Sequence, residues 1–152
     1  MAAEEYSQQL HFHEERSEEL RKSKKITRWA ELRWGKSEHS RAADLVHPTI
    51  GFANRVIDAF VSEIPPSGKN TIHRHNPEAI VHILDGAGYS IIDGERIGWK
   101  KGDTLFIPPM SWHQHFNSSK TKSTTYLAVM CEPLFTRMGT FIMEERKKKK
   151  TR

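Results

Sequence analysis

His73-Arg74-His75 and Trp112-His113-Gln114-His115 are the residues of this chain best suited to do chemistry. Both lie in strand-forming sequence. On a β-strand, residues i and i+2 share a face, so His73 and His75 can present two imidazoles to one point. His113 can join them from a neighbouring strand. Imidazole is the commonest protein ligand for divalent first-row metals. The spacing therefore predicts a three-histidine metal site inside a small β-barrel. A third His-x-His, His11-Phe12-His13, sits in helix-prone sequence, where the two rings would point about 200° apart. It is not expected to bind metal.

The elements that must position these histidines begin near Trp29. The segments WAELRW, RVIDAFVSEI, AIVHIL, YSIIDG, DTLFIP, STTYLAVM and TFIME are short and rich in β-branched and aromatic residues. Turn signals separate them at Pro65-Pro66-Ser67-Gly68, Asp85-Gly86, Asp93-Gly94 and Gly102-Asp103. Asp93-Gly94 between alternating strands is a strong hairpin signal. Strands at this spacing, with no amphipathic helices between them, predict an all-β sandwich or barrel. Residues 3–25 hold six glutamates and five basic groups with few aliphatics. That composition predicts an arm over 1–28, helical or partly disordered, with Glu18 and Lys22 as a favourable i, i+4 pair. The barrel is expected over 29–143.

Charge and cysteine usage narrow the function classes. Of the formal charge of +5, residues 144–152 (EERKKKKTR) carry +4, leaving +1 for the other 143 residues. The expected body is nearly neutral with a solvated basic tail at 144–152, which argues against nucleic-acid binding. There is no apolar run of membrane-spanning length. MAAEEYSQQL lacks the basic and apolar parts of a signal peptide. The single cysteine, Cys131, allows no internal disulfide and is expected to be a small buried hydrophobe. A cytoplasmic protein is expected.

From Gly68 to Asn117 the chain resembles the cupin double motif. GKNTIHRHNPEAIVHILDG matches the first half, and GDTLFIPPMSWHQHFN supplies Gly102, Pro108, His113 and Asn117 for the second. Within cupins the wording is similar to gentisate 1,2-dioxygenase-like proteins, which have HRH, an alanine where most cupins carry a glutamate, and WHxHxN. Here that alanine is Ala79, and YLAVMCEPLF resembles the family's strand and turn after the barrel. The resemblance spans about residues 55–142 and implies a cupin double-stranded β-helix, or jelly-roll barrel, in a one-cupin relative of chains that usually hold two cupins.

It also implies a function: a mononuclear non-haem dioxygenase that uses O2 to cleave a C–C bond of a small aromatic or enolisable substrate. One divalent ion per chain is implied, Fe(II) first, with Zn, Mn, Ni or Cu as alternatives for the same ligands. His73, His75 and His113 would be the metal ligands. Counting in twos from His75 turns Pro77, Ala79, Val81 and Ile83 inward and Glu78 and His82 outward, so no carboxylate ligand is expected. His115 is expected to transfer protons, and Asn117 to tie down a turn. Ile72, Val81, Ile83, Phe106 and Met110 are expected to line the substrate cavity. Trp99, Trp112 and Tyr89 are the aromatic candidates for its wall, although barrel cores also use such residues.

One departure concerns the substrate. Gentisate and salicylate cleavers place an arginine, which helps hold the substrate carboxylate, where this chain has Val81. Either Arg55 or Arg96 takes that role, or the substrate lacks the carboxylate. Two other function classes remain open: a metal-dependent isomerase or lyase on the same barrel, and a non-catalytic small-molecule-binding cupin. Exposed sheet edges, and an arm able to cross to a second subunit, predict a homodimer.

Overall fold

The computed structural model describes residues 2–36 and 40–146; residues 1, 37–39 and 147–152 lie outside the description. The lysine run of the expected basic tail is among those outside it. A helix α1 (Ala2–Lys22) forms the arm, with Lys22 Nζ 2.6 Å from Glu18 Oε1 as the i, i+4 spacing implies. The chain then joins the barrel: Lys24 N–H donates to Gly51 O, and the Thr27 hydroxyl to Leu45 O. No helix among the described residues is long and apolar enough to cross a membrane.

Strands follow in order: β1 (Gly35–Lys36), β2 (Arg41–Val46), β3 (Asp58–Ile64), β4 (His73–His75), β5 (Ala79–Asp85), β6 (Ala87–Ile92), β7 (Glu95–Lys100), β8 (Thr104–Ile107), β9 (His113–Asn117) and β10 (Thr124–Met130). A short helix α2 (Glu132–Arg137) and a strand β11 (Met143–Glu145) complete the described chain. Two antiparallel sheets result, ordered β1-β2-β3-β10-β5-β8 and β11-β4-β9-β6-β7. This is the expected all-β jelly roll. Ile64, Val81, Ile83, Leu105, Ile107 and Tyr126 are buried in its core.

Local chemistry sets the turns. Asp93 and Gly94 both have positive φ (47° and 91°), as a two-residue hairpin of the right twist requires. Asp93 Oδ1 also accepts the Trp112 N–H at 2.8 Å, fixing the chain just before β9. Asn117 does tie down a turn: its Nδ2 donates to Ile64 O, Pro65 O and Lys122 O, and its Oδ1 accepts from Ser119 N–H.

Two expectations are corrected. Glu144 and Glu145 are exposed as expected but are not a free tail: they belong to β11, paired with Arg74 and His73, and Arg146 N–H donates to Ile72 O. The Arg74–Glu144 ion pair, at 2.6 Å, lets this charged segment add a strand. Cys131 is half-buried at the start of α2 rather than enclosed in the core, because β10 ends one residue earlier.

Candidate metal centre

β4 and β9 are neighbours, and their register sets His73 directly opposite His113. Alternation adds His75 and His115 to the same face, and β9 buries His113, His115 and Asn117 while its intervening residues are half-buried. The ring centroids of His73 and His113 are 4.2 Å apart, those of His75 and His113 4.9 Å. One nitrogen from each of His73, His75 and His113 lies within 4.8 Å of the other two. The fold thus brings together the three histidines that strand alternation placed on one face.

Hydrogen bonds fix which nitrogen is offered. His73 Nδ1 lies 2.8 Å from Thr71 O, His75 Nδ1 2.7 Å from Pro77 O, and His113 Nδ1 2.9 Å from Ser111 O. A carbonyl only accepts, so each Nδ1 carries the proton and each Nε2 keeps its lone pair. This is the arrangement by which proteins orient imidazole toward a metal. Burial lowers the pKa of all three rings, that of His113 to about 3 with a further push from the neighbouring His73. Neutral imidazoles with free lone pairs fit a divalent ion.

His115 is wired the other way. Its Nδ1 lies 2.7 Å from Ser90 Oγ, which also accepts the Trp99 indole N–H at 2.9 Å. Indole can only donate, and among the described residues the buried serine hydroxyl has no acceptor for its own hydrogen other than His115 Nδ1, so it donates there and the ring keeps its proton on Nε2. Burial, then the neighbouring histidines, hold its pKa well below the usual imidazole range. His115 is therefore a neutral N–H donor beside the triad, and its backbone N–H is held by Asn70 Oδ1.

The four histidines open on a cavity of about 240 Å³. The facing sheet supplies its other wall in two rows. Register aligns Asp58, Met130, Ala79 and Ile107 across β3, β10, β5 and β8, then Asp44, Phe60, Ala128 and Val81 across β2, β3, β10 and β5. All eight line the cavity, with Tyr126, His47, Glu132, Phe141 and Met143. Asp58 is 6% exposed. Its Oδ1 accepts the Glu132 N–H, while Glu132 Oε2 lies 3.2 Å from His47 Nε2. Burial, with repulsion from Glu132, raises the Asp58 pKa to about 6 against the hydrogen bond from that same residue.

Of the expected cavity residues, Val81 is in place and several others are not. Phe106 is 59% exposed on the outer face of β8, since Leu105 and Ile107 take the inward positions. Met110 lies in a turn with φ of 60°, where its N–H donates to His75 O; it lines none of the cavity. Ile83 is buried one row deeper, beyond the cavity lining. Trp99 packs in the core behind Ser90 rather than forming a wall. Ile72 and Trp112 line an outer groove with Arg146, and Tyr89 stacks on Phe116 beneath Arg96. Neither Arg55 nor Arg96 lines the cavity. Glu78 is exposed, and His82 bonds to the Thr104 hydroxyl, both away from the triad as parity requires.

Residues 60–130 match the family model of the cupin domain. The chain is 38% identical over 74 residues to an uncharacterized protein of Methanocaldococcus jannaschii, covering 47% of this chain and 57% of that one. It is 42% identical over 48 residues to gentisate 1,2 dioxygenase 1 of Aquipseudomonas alcaligenes, covering 31% and 14%. A salicylate 1,2-dioxygenase from Pseudaminobacter salicylatoxidans superposes with a TM-score of 0.65 at 14% identity, over 72% of this chain and 31% of that one. The chain thus spans little more than half of one of these relatives and under a third of the others.

Proposed function

Starting from a chain that carries a cupin domain, we propose that it is a mononuclear non-haem dioxygenase cleaving a C–C bond of a small aromatic or enolisable substrate. The observation that carries this reading is the convergence of three neutral Nε2 lone pairs on a point that borders a largely apolar cavity and that no carboxylate joins among the described residues. A divalent ion bound there, Fe(II) in this reading, would supply two-point coordination of the substrate and electron transfer to O2.

The residues of the chain do the rest. Thr71, Pro77 and Ser111 carbonyls hold the three ligand rings in orientation. Val81, Ile107, Ala128 and Phe60 exclude water from the reacting end of the substrate. His115 donates a hydrogen bond from Nε2–H to a substrate oxygen and so steadies the charge that builds there, with Ser90 holding the ring in register. The protein acts as a homodimer, supported by the outward pair Ile80 and Phe106, 51% and 59% exposed and directly opposite in register on β5 and β8. It works in the cytoplasm, a reading supported by its one free cysteine.

Oxygen consumption by anaerobically iron-loaded protein, over a panel of hydroxylated aromatics and diketones, tests the proposal. Uptake that stops in His113→Ala supports it. Turnover that persists without O2, or with zinc in place of iron, would replace it with the isomerase or lyase reading.

A further inference from the structure

The charge of the cavity says what it should hold. Asp44, Asp58 and Glu132 line it, and no Lys or Arg does so among the described residues. Glu145 adds a fourth acid near the triad, set opposite His73 by the β4–β11 register. Asp58 is nine-tenths buried, and beyond its own backbone Glu132 N–H is its one hydrogen-bond partner among the described residues. Val81, on the cavity wall, is buried at 3% exposure and offers no charge. His47 also lines the cavity but already faces Glu132, its Nε2 3.2 Å from Oε2, so an anion in this space would meet an excess of acid, which disfavours binding. A cation would relieve the repulsion between Asp58 and Glu132.

Resting on the metal reading above, we propose that the cavity takes a small chelating molecule whose far end is an ammonium group, held between the three histidines and the Asp58–Glu132 pair, and that it rejects the matching carboxylate. Because the Glu132 carboxylate is already engaged by His47 and the Thr136 hydroxyl, Asp58, with Asp44 on the same wall, is then the specificity-determining group. The volume of about 240 Å³ suits a single ring with a short side chain.

A matched pair of catechols tests this: 3,4-dihydroxybenzylamine against 3,4-dihydroxybenzoate, titrated calorimetrically into the zinc-loaded full chain, where no oxidation intervenes. The amine is expected to bind about ten-fold tighter or more. The preference should fall to within about two-fold in Asp58→Asn combined with Asp44→Asn. Asparagine keeps the carbonyl that accepts the Glu132 N–H, and Asp44 is exposed, so the fold should survive. Equal or tighter binding of the acid, or a preference undiminished in that variant and in Asp58→Asn alone, overturns the proposal. Zinc uptake is measured separately. If none occurs, the metal reading fails by itself, and the charge preference is read on the metal-free chain with benzylamine against benzoate. Tighter benzylamine then supports it, and equal or tighter benzoate refutes it.

Discussion

Replacing Ser90 by alanine removes one oxygen from a side chain with no exposed surface and strands two partners at once. Trp99 Nε1–H and His115 Nδ1 are themselves buried, at 5% and 3% exposure, and no water can take the place of the hydroxyl without a shift of the core. Each stranded group costs about 1–3 kcal/mol. The two share a single hydroxyl and one local relaxation, so their sum is tempered to about 3 kcal/mol overall. For a chain of this size that is a fall in melting temperature of about 6–12 °C. Urea titration should show a lower midpoint with an unchanged slope. A second readout is specific to the relay. In the native protein the nitrogen chemical shifts of His115 should report a proton on Nε2, opposite to His73, His75 and His113, and Ser90→Ala should erase that tautomer preference. A stability change below about 0.5 kcal/mol, with the His115 nitrogen shifts unaltered, would refute the Trp99–Ser90–His115 relay.

Three further outcomes are expected. Asp58→Asn should raise stability at neutral pH by about 1–2 kcal/mol, because the folded state holds this carboxyl at a pKa of about 6, above its unfolded value. As pH rises from about 4 to 6 the unfolded chain loses this proton first, so wild type should lose stability relative to the variant across that window, seen by urea titration at several pH values. The buried histidines act in the opposite direction: their folded pKa values are depressed, so below pH about 6.5 the unfolded chain binds protons that the fold refuses. Metal-free His73→Ala/His113→Ala should therefore unfold at lower pH than the metal-free native chain, monitored by circular dichroism. Gly88→Ala should destabilise by about 3 kcal/mol or more, since a Cβ there would sit 2.0 Å from Phe116 O and 2.4 Å from the Trp99 ring; thermal melts check this.

The metal triad was legible because its evidence is a period of two, the property a strand conserves best. Once His73 and His75 shared a face, Val81 had to point inward and Glu78 and His82 outward, and the structure has them so. Phe106 shows where the same reasoning fails. Thr104–Ile107 is apolar at both parities, so alternation alone does not choose between Phe106 and the Leu105/Ile107 pair; packing against β5 makes the choice. Met110 and Trp99 failed differently, since a positive-φ turn and a hydrogen bond to a buried serine are not written in hydrophobic pattern. The acidic part of the cavity was missed although a signal existed. Asp58 heads the alternation Asp58, Phe60, Ser62, Ile64, and a charge at an inward position is a feature to question. Its partner Glu132 lies 74 residues away in sequence and is joined to it only by the fold.

The most direct test of the central claim is metal analysis of tag-free protein purified anaerobically, beside the His73→Ala/His113→Ala variant. The expected result is close to one iron per chain in the native protein and none in the variant. Native protein that holds no divalent metal, or a variant that retains it, would contradict the three-histidine centre and the function built upon it.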